Sequence, residues 1–127
     1  MPLPQPDVSR TTSEQAVIAK AVLRAADRLG LSAKVLASVI GVSEATIDKL
    51  RRGEAQLQPS SKAFELAVLF IRFFRSLDAL LGGDEAVARD WLNNPNIALG
   101  ARPVDKIASV AGLFDAISYL DARRAIV

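Results

Sequence analysis

Apolar residues recur at the three- and four-residue spacing of an α-helix along almost the whole chain. No alternation of apolar and polar positions, as expected for a β-strand, extends over a useful length. The pattern therefore predicts an all-α protein. The predicted helices cover residues 12–29, 33–40, 44–52, 62–81, about 84–92, 104–109 and about 112–122. Proline and polar residues dominate the first 11 positions, which are expected to form a flexible arm.

The second and third predicted helices are short, and Gly41 lies in the turn between them. Ser32 and Ser43 stand at the positions where the two helices need N-caps, and Gly41 stands where a positive φ is expected. Two short helices joined by a turn that contains glycine are typical of a helix-turn-helix. We therefore predict a helix-turn-helix domain over residues 12–58.

This segment resembles the Xre-type helix-turn-helix of phage-like repressors. The resemblance rests on Ala37, Gly41-Val42-Ser43, Ile47, Leu50 and Arg51-Arg52-Gly53. It implies that the second helix of the pair enters the major groove of operator DNA. Because Ile47 and Leu50 are needed in the core, the side chains free to reach the bases are Ser43, Glu44, Ala45, Thr46 and Lys49. Arg51 and Arg52 are expected to contact phosphates. The alternative is a helix-turn-helix that serves only for packing or dimerisation.

The predicted helix 62–81 is apolar around most of its circumference and contains four of the five phenylalanines. Such a helix is normally buried on several sides. It is therefore expected either to link the two halves of the protein or to form part of a homodimer interface, with Phe73 or Phe74 directed outward. Residues 59–82 are accordingly predicted to be a connecting and dimerisation helix.

The last third of the chain contains five short motifs in a fixed order. They are Leu80-Leu-Gly-Gly-Asp-Glu-Ala86, Trp91-Leu92, Asn94-Pro95-Asn96, Ala98-Leu99-Gly100 and Arg102-Pro103. Together they resemble the toxin-binding domain of Xre/ParS-type antitoxins, which we expect over residues 83–127. The resemblance implies a type II toxin–antitoxin system. The partner would be a RES-domain toxin that consumes NAD, and the antitoxin would cover its active site and repress its own operon.

Two parts of this region are candidates for blocking the toxin: the end of the chain and the loop 94–103. The predicted toxin-binding residues are Asn94, Asn96, Arg102, Tyr119, Arg123, Arg124 and Val127. The end of the chain is expected to be free to enter a cleft, whereas Phe114 and its neighbours form a core. Arg123 and Arg124 could instead be a solvated helix end that complements the helix dipole. Trp91 is expected in the core rather than as an interface anchor.

Composition argues against catalysis. The 127 residues include no cysteine and no histidine, so disulfides, thiolate metal sites and the commonest general base are excluded. No cofactor or metal is expected. The longest uncharged run in the most apolar stretch is six residues, which is too short to span a membrane. No secretory signal is evident, and a cytoplasmic location is expected.

Charge permits DNA binding without requiring it. Residues 1–62 contain nine Lys or Arg against six Asp or Glu, and the whole chain has a net charge of +2. A single domain with so little positive charge is expected to bind DNA weakly, which favours a dimer on a palindromic operator. The alternative function is a stand-alone transcriptional regulator whose C-terminal domain only dimerises or senses a small molecule.

Overall fold

The computed structural model describes the backbone of residues 8–126 and the side chains of residues 14–125. This part of the chain contains seven α-helices and no β-strand, which confirms the all-α prediction. The helices are α1 (Val8–Arg28), α2 (Ala33–Ile40), α3 (Glu44–Arg51), α4 (Lys62–Leu80), α5 (Glu85–Asn93), α6 (Pro103–Lys106) and α7 (Val110–Ile126). None of the helices in the described range is long and apolar enough to cross a membrane.

Side-chain caps determine where four of these helices begin. Ser32, Ser43, Ser61 and Asp84 each accept a hydrogen bond from the backbone N–H three residues further on. Each bond satisfies a donor that has no partner within its helix. The predicted caps Ser32 and Ser43 are confirmed.

The turn between α2 and α3 has the geometry expected of a helix-turn-helix. Gly41 has a φ of 73°, in the left-handed region that glycine adopts without strain. The N–H groups of Gly41 and Val42 both donate to the carbonyl oxygen of Ala37, at 2.9 and 3.0 Å. These bonds end α2 and direct the chain into α3, so the prediction of a sharp turn at Gly41 is confirmed.

Helix α4 lies at the centre of the molecule and packs against α1, α2, α5 and α7. Phe70, Phe73 and Leu77 on this helix are fully buried, and Phe74 is half-buried. The expectation that Phe73 points outward is therefore wrong. A single chain covers most of the apolar arc because α7 packs along the side of α4 that α1 and α2 leave open.

The structure extends two helices beyond their predicted ends. Helix α1 begins at Val8, so residues 8–11 of the expected arm are helical. No proline or glycine follows until Gly30, so nothing in this stretch breaks the helix. Helix α7 continues to Ile126, four residues past its predicted end. Residues 1–7 lie outside the described range, as does Val127.

The burial of Phe73 leads to a testable expectation about stability. Replacement of Phe73 by Ala should lower the free energy of unfolding by about 3–5 kcal/mol, because it leaves a cavity beneath α4. Phe114 is 58% exposed and provides a matched control, for which Phe114→Ala should change stability by less than about 0.5 kcal/mol. Urea unfolding of the two variants checks this, and equal losses of stability would contradict the assigned core.

Candidate functional site

Helix α3 presents three of the predicted DNA-binding residues to solvent. Glu44, Ala45 and Lys49 are exposed, and their side chains make no hydrogen bond or ion pair with any residue that the structure describes. Ile47 and Leu50 on the opposite side of the helix are buried, as predicted. The exposed face of α3 can therefore contact another molecule without disturbing the core.

Ser43 and Thr46 are already engaged at the beginning of α3. The Ser43 hydroxyl accepts the Thr46 backbone N–H at 3.1 Å, and the two hydroxyl oxygens lie 2.9 Å apart. These bonds hold the first turn of the helix. The two residues therefore stand where the sequence predicts a contact with DNA, but they also serve as the cap.

Both arginines predicted to contact phosphates have carboxylate partners within the chain. Arg51 donates two hydrogen bonds to the Asp27 carboxylate on α1, at 2.8 and 3.2 Å. The hydrogen bond from Arg51 lowers the pKa of Asp27, and the same bond raises the pKa of Arg51. Arg52 lies 3.1 Å from a Glu54 carboxylate oxygen. Neither guanidinium is an unpaired cation in this structure.

The loop between α5 and α6 is held by the polar residues that the sequence singled out. The Asn94 side chain donates to the Asp90 carbonyl at 2.6 Å, and the Asn96 side chain accepts the Leu99 N–H at 3.1 Å. Arg102 donates to both oxygens of Asp105, at 2.9 and 3.2 Å. These three residues therefore shape the loop.

Two exposed apolar side chains after Gly83 escaped the sequence analysis. Ile97 is fully exposed at the loop, and Phe114 is 58% exposed on α7. The prediction that Phe114 belongs to the core is wrong, because α7 buries Leu113, Ile117 and Leu120 on its other side. Of the six large apolar residues exposed among the described side chains, four follow Gly83: Val87, Ile97, Val110 and Phe114.

Three aromatic rings connect α4, α5 and α7. Trp91 lies 6.3 Å from Phe73 and 6.5 Å from Tyr119, with its ring nearly parallel to that of Tyr119. The Arg123 guanidinium is 5.9 Å from the centre of the Tyr119 ring, within the range of a cation–π contact. Trp91 is half-buried and packs against the core, in agreement with the role expected for it.

Asp121 connects the final turns of α7 to α4. Its carboxylate accepts the Ser76 hydroxyl at 2.9 Å and pairs with Arg72 at 3.0 Å. Arg124 lies 4.0 Å from the same carboxylate. Arg123 and Arg124, which the sequence predicted to follow the last helix, are therefore still helical residues of α7.

Comparison with family models assigns both halves of the chain. Residues 10–72 match the antitoxin Xre-like helix-turn-helix domain. Residues 76–125 match the antitoxin Xre/MbcA/ParS C-terminal toxin-binding domain. The chain has the domain pair of a type II antitoxin. No curated protein matches the sequence.

The two family matches indicate a different kind of partner for each half of the antitoxin. The DNA-binding domain contains the exposed face of α3, and the toxin-binding domain contains Val87, Ile97, Val110 and Phe114. Both matched families are families of binding domains, and neither is an enzyme family. The boundary between the two matches falls inside α4, which supplies core residues to both domains.

The Asp121 cluster predicts a pH-dependent contribution to stability. The Ser76 hydroxyl, followed by Arg72, lowers the pKa of Asp121 below its ordinary value of 3.8. The contribution is therefore complete above that value and is lost as the pH falls through the folded-state pKa. At pH 7, Asp121→Asn should be less stable than the wild type by up to about 1 kcal/mol, because the partly exposed pair is screened by solvent.

Thermal unfolding at a series of pH values measures this difference. The gap between Asp121→Asn and the wild type should narrow as the pH falls below about 4. Asp90→Asn is a suitable control, because the Asp90 carboxylate has no hydrogen-bond partner among the described residues. A gap that stays constant with pH would contradict the role given to the Asp121 carboxylate.

Proposed function

We propose that this antitoxin binds a RES-domain, NAD-consuming toxin, blocks its active site, and represses its own operon in the cytoplasm as a DNA-bound homodimer. The observation that carries the proposal is the toxin-binding domain over residues 76–125, whose surface exposes four large apolar side chains. The RES class of the toxin rests on the motif resemblance described above.

The exposed face of α7 is the proposed source of affinity for the toxin. Val110 and Phe114 are four residues apart on α7 and therefore lie on one face of the helix. Ile97 adds a fully exposed apolar side chain on the loop between α5 and α6. Burial of such a side chain in an interface is favourable by about 1.5–3 kcal/mol relative to leaving it in water. A partner that covers these residues would gain affinity without any rearrangement of the core.

The end of α7 is the proposed blocking element. Arg123 and Arg124 lie on its last turns and could pair with acidic or carbonyl groups that line the toxin's cleft. Deletion of residues 121–127 would be a poor test, since it also removes Asp121 and its contacts with α4. The double variant Arg123→Ala, Arg124→Ala leaves that contact in place. If it protects cells as well as the wild type, the loop 94–103 becomes the better candidate.

Substitution of Phe114 tests the proposed toxin face. Phe114→Asp should weaken toxin binding at least tenfold, because it places a charge at the centre of an apolar contact. Ala45→Asp is the control: Ala45 is exposed on α3, outside the toxin-binding domain. The measurements are pull-down after co-expression with the product of the adjacent gene, and growth of the same cells.

Two results would redirect the proposal. If Phe114→Asp and Ile97→Asp both retain full toxin binding, the toxin covers a different part of the domain. If the wild type forms no complex with the product of the adjacent gene and does not protect growth, the stand-alone regulator becomes the better interpretation. Chemical analysis of NAD in cells that express the toxin alone tests the RES assignment separately.

Lys49 tests the proposed DNA contact of α3. Lys49→Ala should weaken binding to a duplex of the region upstream of the gene, and it should reduce the salt dependence of binding by the share of one phosphate contact. Lys20→Ala removes the same charge from an exposed position on α1 and should have little effect. Equal affinities for the Lys49 variant and the wild type would show that α3 does not read the operator.

Light scattering tests the homodimer separately. The proposal of a dimer rests on the small positive charge of the DNA-binding half and on the symmetry of typical helix-turn-helix operators. A well-behaved monomer at micromolar concentration, with or without DNA, would overturn it.

A further inference from the structure

The toxin-binding domain is bonded to the end of the first helix of the DNA-binding domain. Arg89 on α5 donates one hydrogen bond to the carbonyl oxygen of Arg28 at 3.1 Å and another to that of Asp27 at 3.2 Å. These carbonyls belong to the last turn of α1. The Asp27 carbonyl also accepts the Gly30 N–H at 3.1 Å, whereas the Arg28 carbonyl accepts no backbone N–H from the described residues. A cation at this end of a helix also complements the helix dipole. Arg89 therefore caps a helix of the other domain.

The Arg89 side chain lies directly against Gly30 at the end of α1. Gly30 has a φ of 69°, and a Cβ atom built on it would lie 3.2 Å from the Arg89 Nε. A side chain there would strain the backbone and crowd the guanidinium. The end of α1 is thus shaped both to stop the helix and to receive the arginine.

The same turn of α1 also contacts helix α3. The Asp27 carboxylate accepts both hydrogen bonds from Arg51, the last residue of α3. Asp27 thus contacts the toxin-binding domain through its backbone oxygen and the DNA-binding helix through its carboxylate. Hydrogen bonds through Asp27 therefore connect Arg89 of the toxin-binding domain to Arg51 of α3.

We propose that Asp27 and Arg89 are positioning residues for DNA binding. Arg89 fixes the last turn of α1, Asp27 on that turn fixes Arg51, and Arg51 sets the orientation of α3 instead of contacting a phosphate. This inference rests on the proposed role of α3 as the DNA-reading helix. Under this proposal, the affinity for the operator depends on Arg89, a residue of the toxin-binding domain.

Replacement of Asp27 distinguishes positioning from simple electrostatics. Asp27→Ala removes a negative charge and frees Arg51, so a purely electrostatic effect would strengthen binding to the polyanionic duplex. Positioning predicts the opposite sign: affinity for a duplex of the upstream region should fall about two- to fivefold, the size expected for an exposed ion pair. Asp27→Glu should restore part of the loss. Asp90→Ala, which removes an acidic side chain with no recorded partner among the described residues, should not weaken binding.

Replacement of Arg89 tests the connection to the toxin-binding domain. Arg89→Gln should weaken operator binding to a similar extent, and it should speed hydrogen exchange of backbone amides in α3, which Arg89 does not touch. Arg75→Gln is the matched control, because it removes the same charge from an exposed arginine with no recorded partner among the described residues. Thermal unfolding of each variant confirms that the fold is retained.

The outcomes separate this inference from the proposed function. If the wild type binds the duplex and Asp27→Ala binds equally well or more tightly, Arg51 is not held for positioning and the inference is overturned. An Arg89→Gln variant that behaves like Arg75→Gln overturns the connection between the domains. If the wild type does not bind the duplex, while toxin neutralisation is intact, the DNA-binding function itself fails.

Discussion

The burial of α4 is the constraint on which the rest of the structure depends. Phe70, Phe73 and Leu77 have no exposed surface, and the neighbours that cover them come from both ends of the chain. Hydrophobic burial is non-directional, so one helix can serve as the core of two small domains at once. The boundary between the two family matches inside α4 reflects this shared use. Neither half would retain a complete core without this helix.

Polar contacts then determine how the domains are held around the shared helix. Asp121 joins the end of α7 to α4, and Arg89 joins α5 to the end of α1. These contacts are partly exposed, so each contributes modestly to stability. Their main effect is on the relative orientation of the helices, because a bidentate arginine or a buried hydroxyl bonds well in only a few geometries. The apolar core brings the helices together, and the polar contacts select how their exposed faces are presented.

Local sequence predicted the helix-turn-helix well because its signals act over a few residues. Ser32, Gly41 and Ser43 specify a cap, a turn and a second cap through bonds to their immediate neighbours. The order of motifs after Leu80 likewise indicated the toxin-binding domain that the family comparison shows. The burial of Phe73 and the exposure of Phe114 could not be predicted in the same way. Which side of α4 or α7 is covered depends on helices that lie far away in the sequence.

The sequence by itself determined the all-α class, the caps and turn of the helix-turn-helix, and the two kinds of domain. These follow from helical periodicity, from bonds between near neighbours and from motifs contained within short segments. Only the tertiary structure decided that Arg51 is paired with Asp27, that α7 remains helical through Arg124, and that Ile97 and Phe114 face solvent. Asp27 and Arg51 are 24 residues apart, and Ser76 and Asp121 are 45 residues apart. Such pairs exist only after packing has brought distant segments together, because no local preference encodes a contact across that separation.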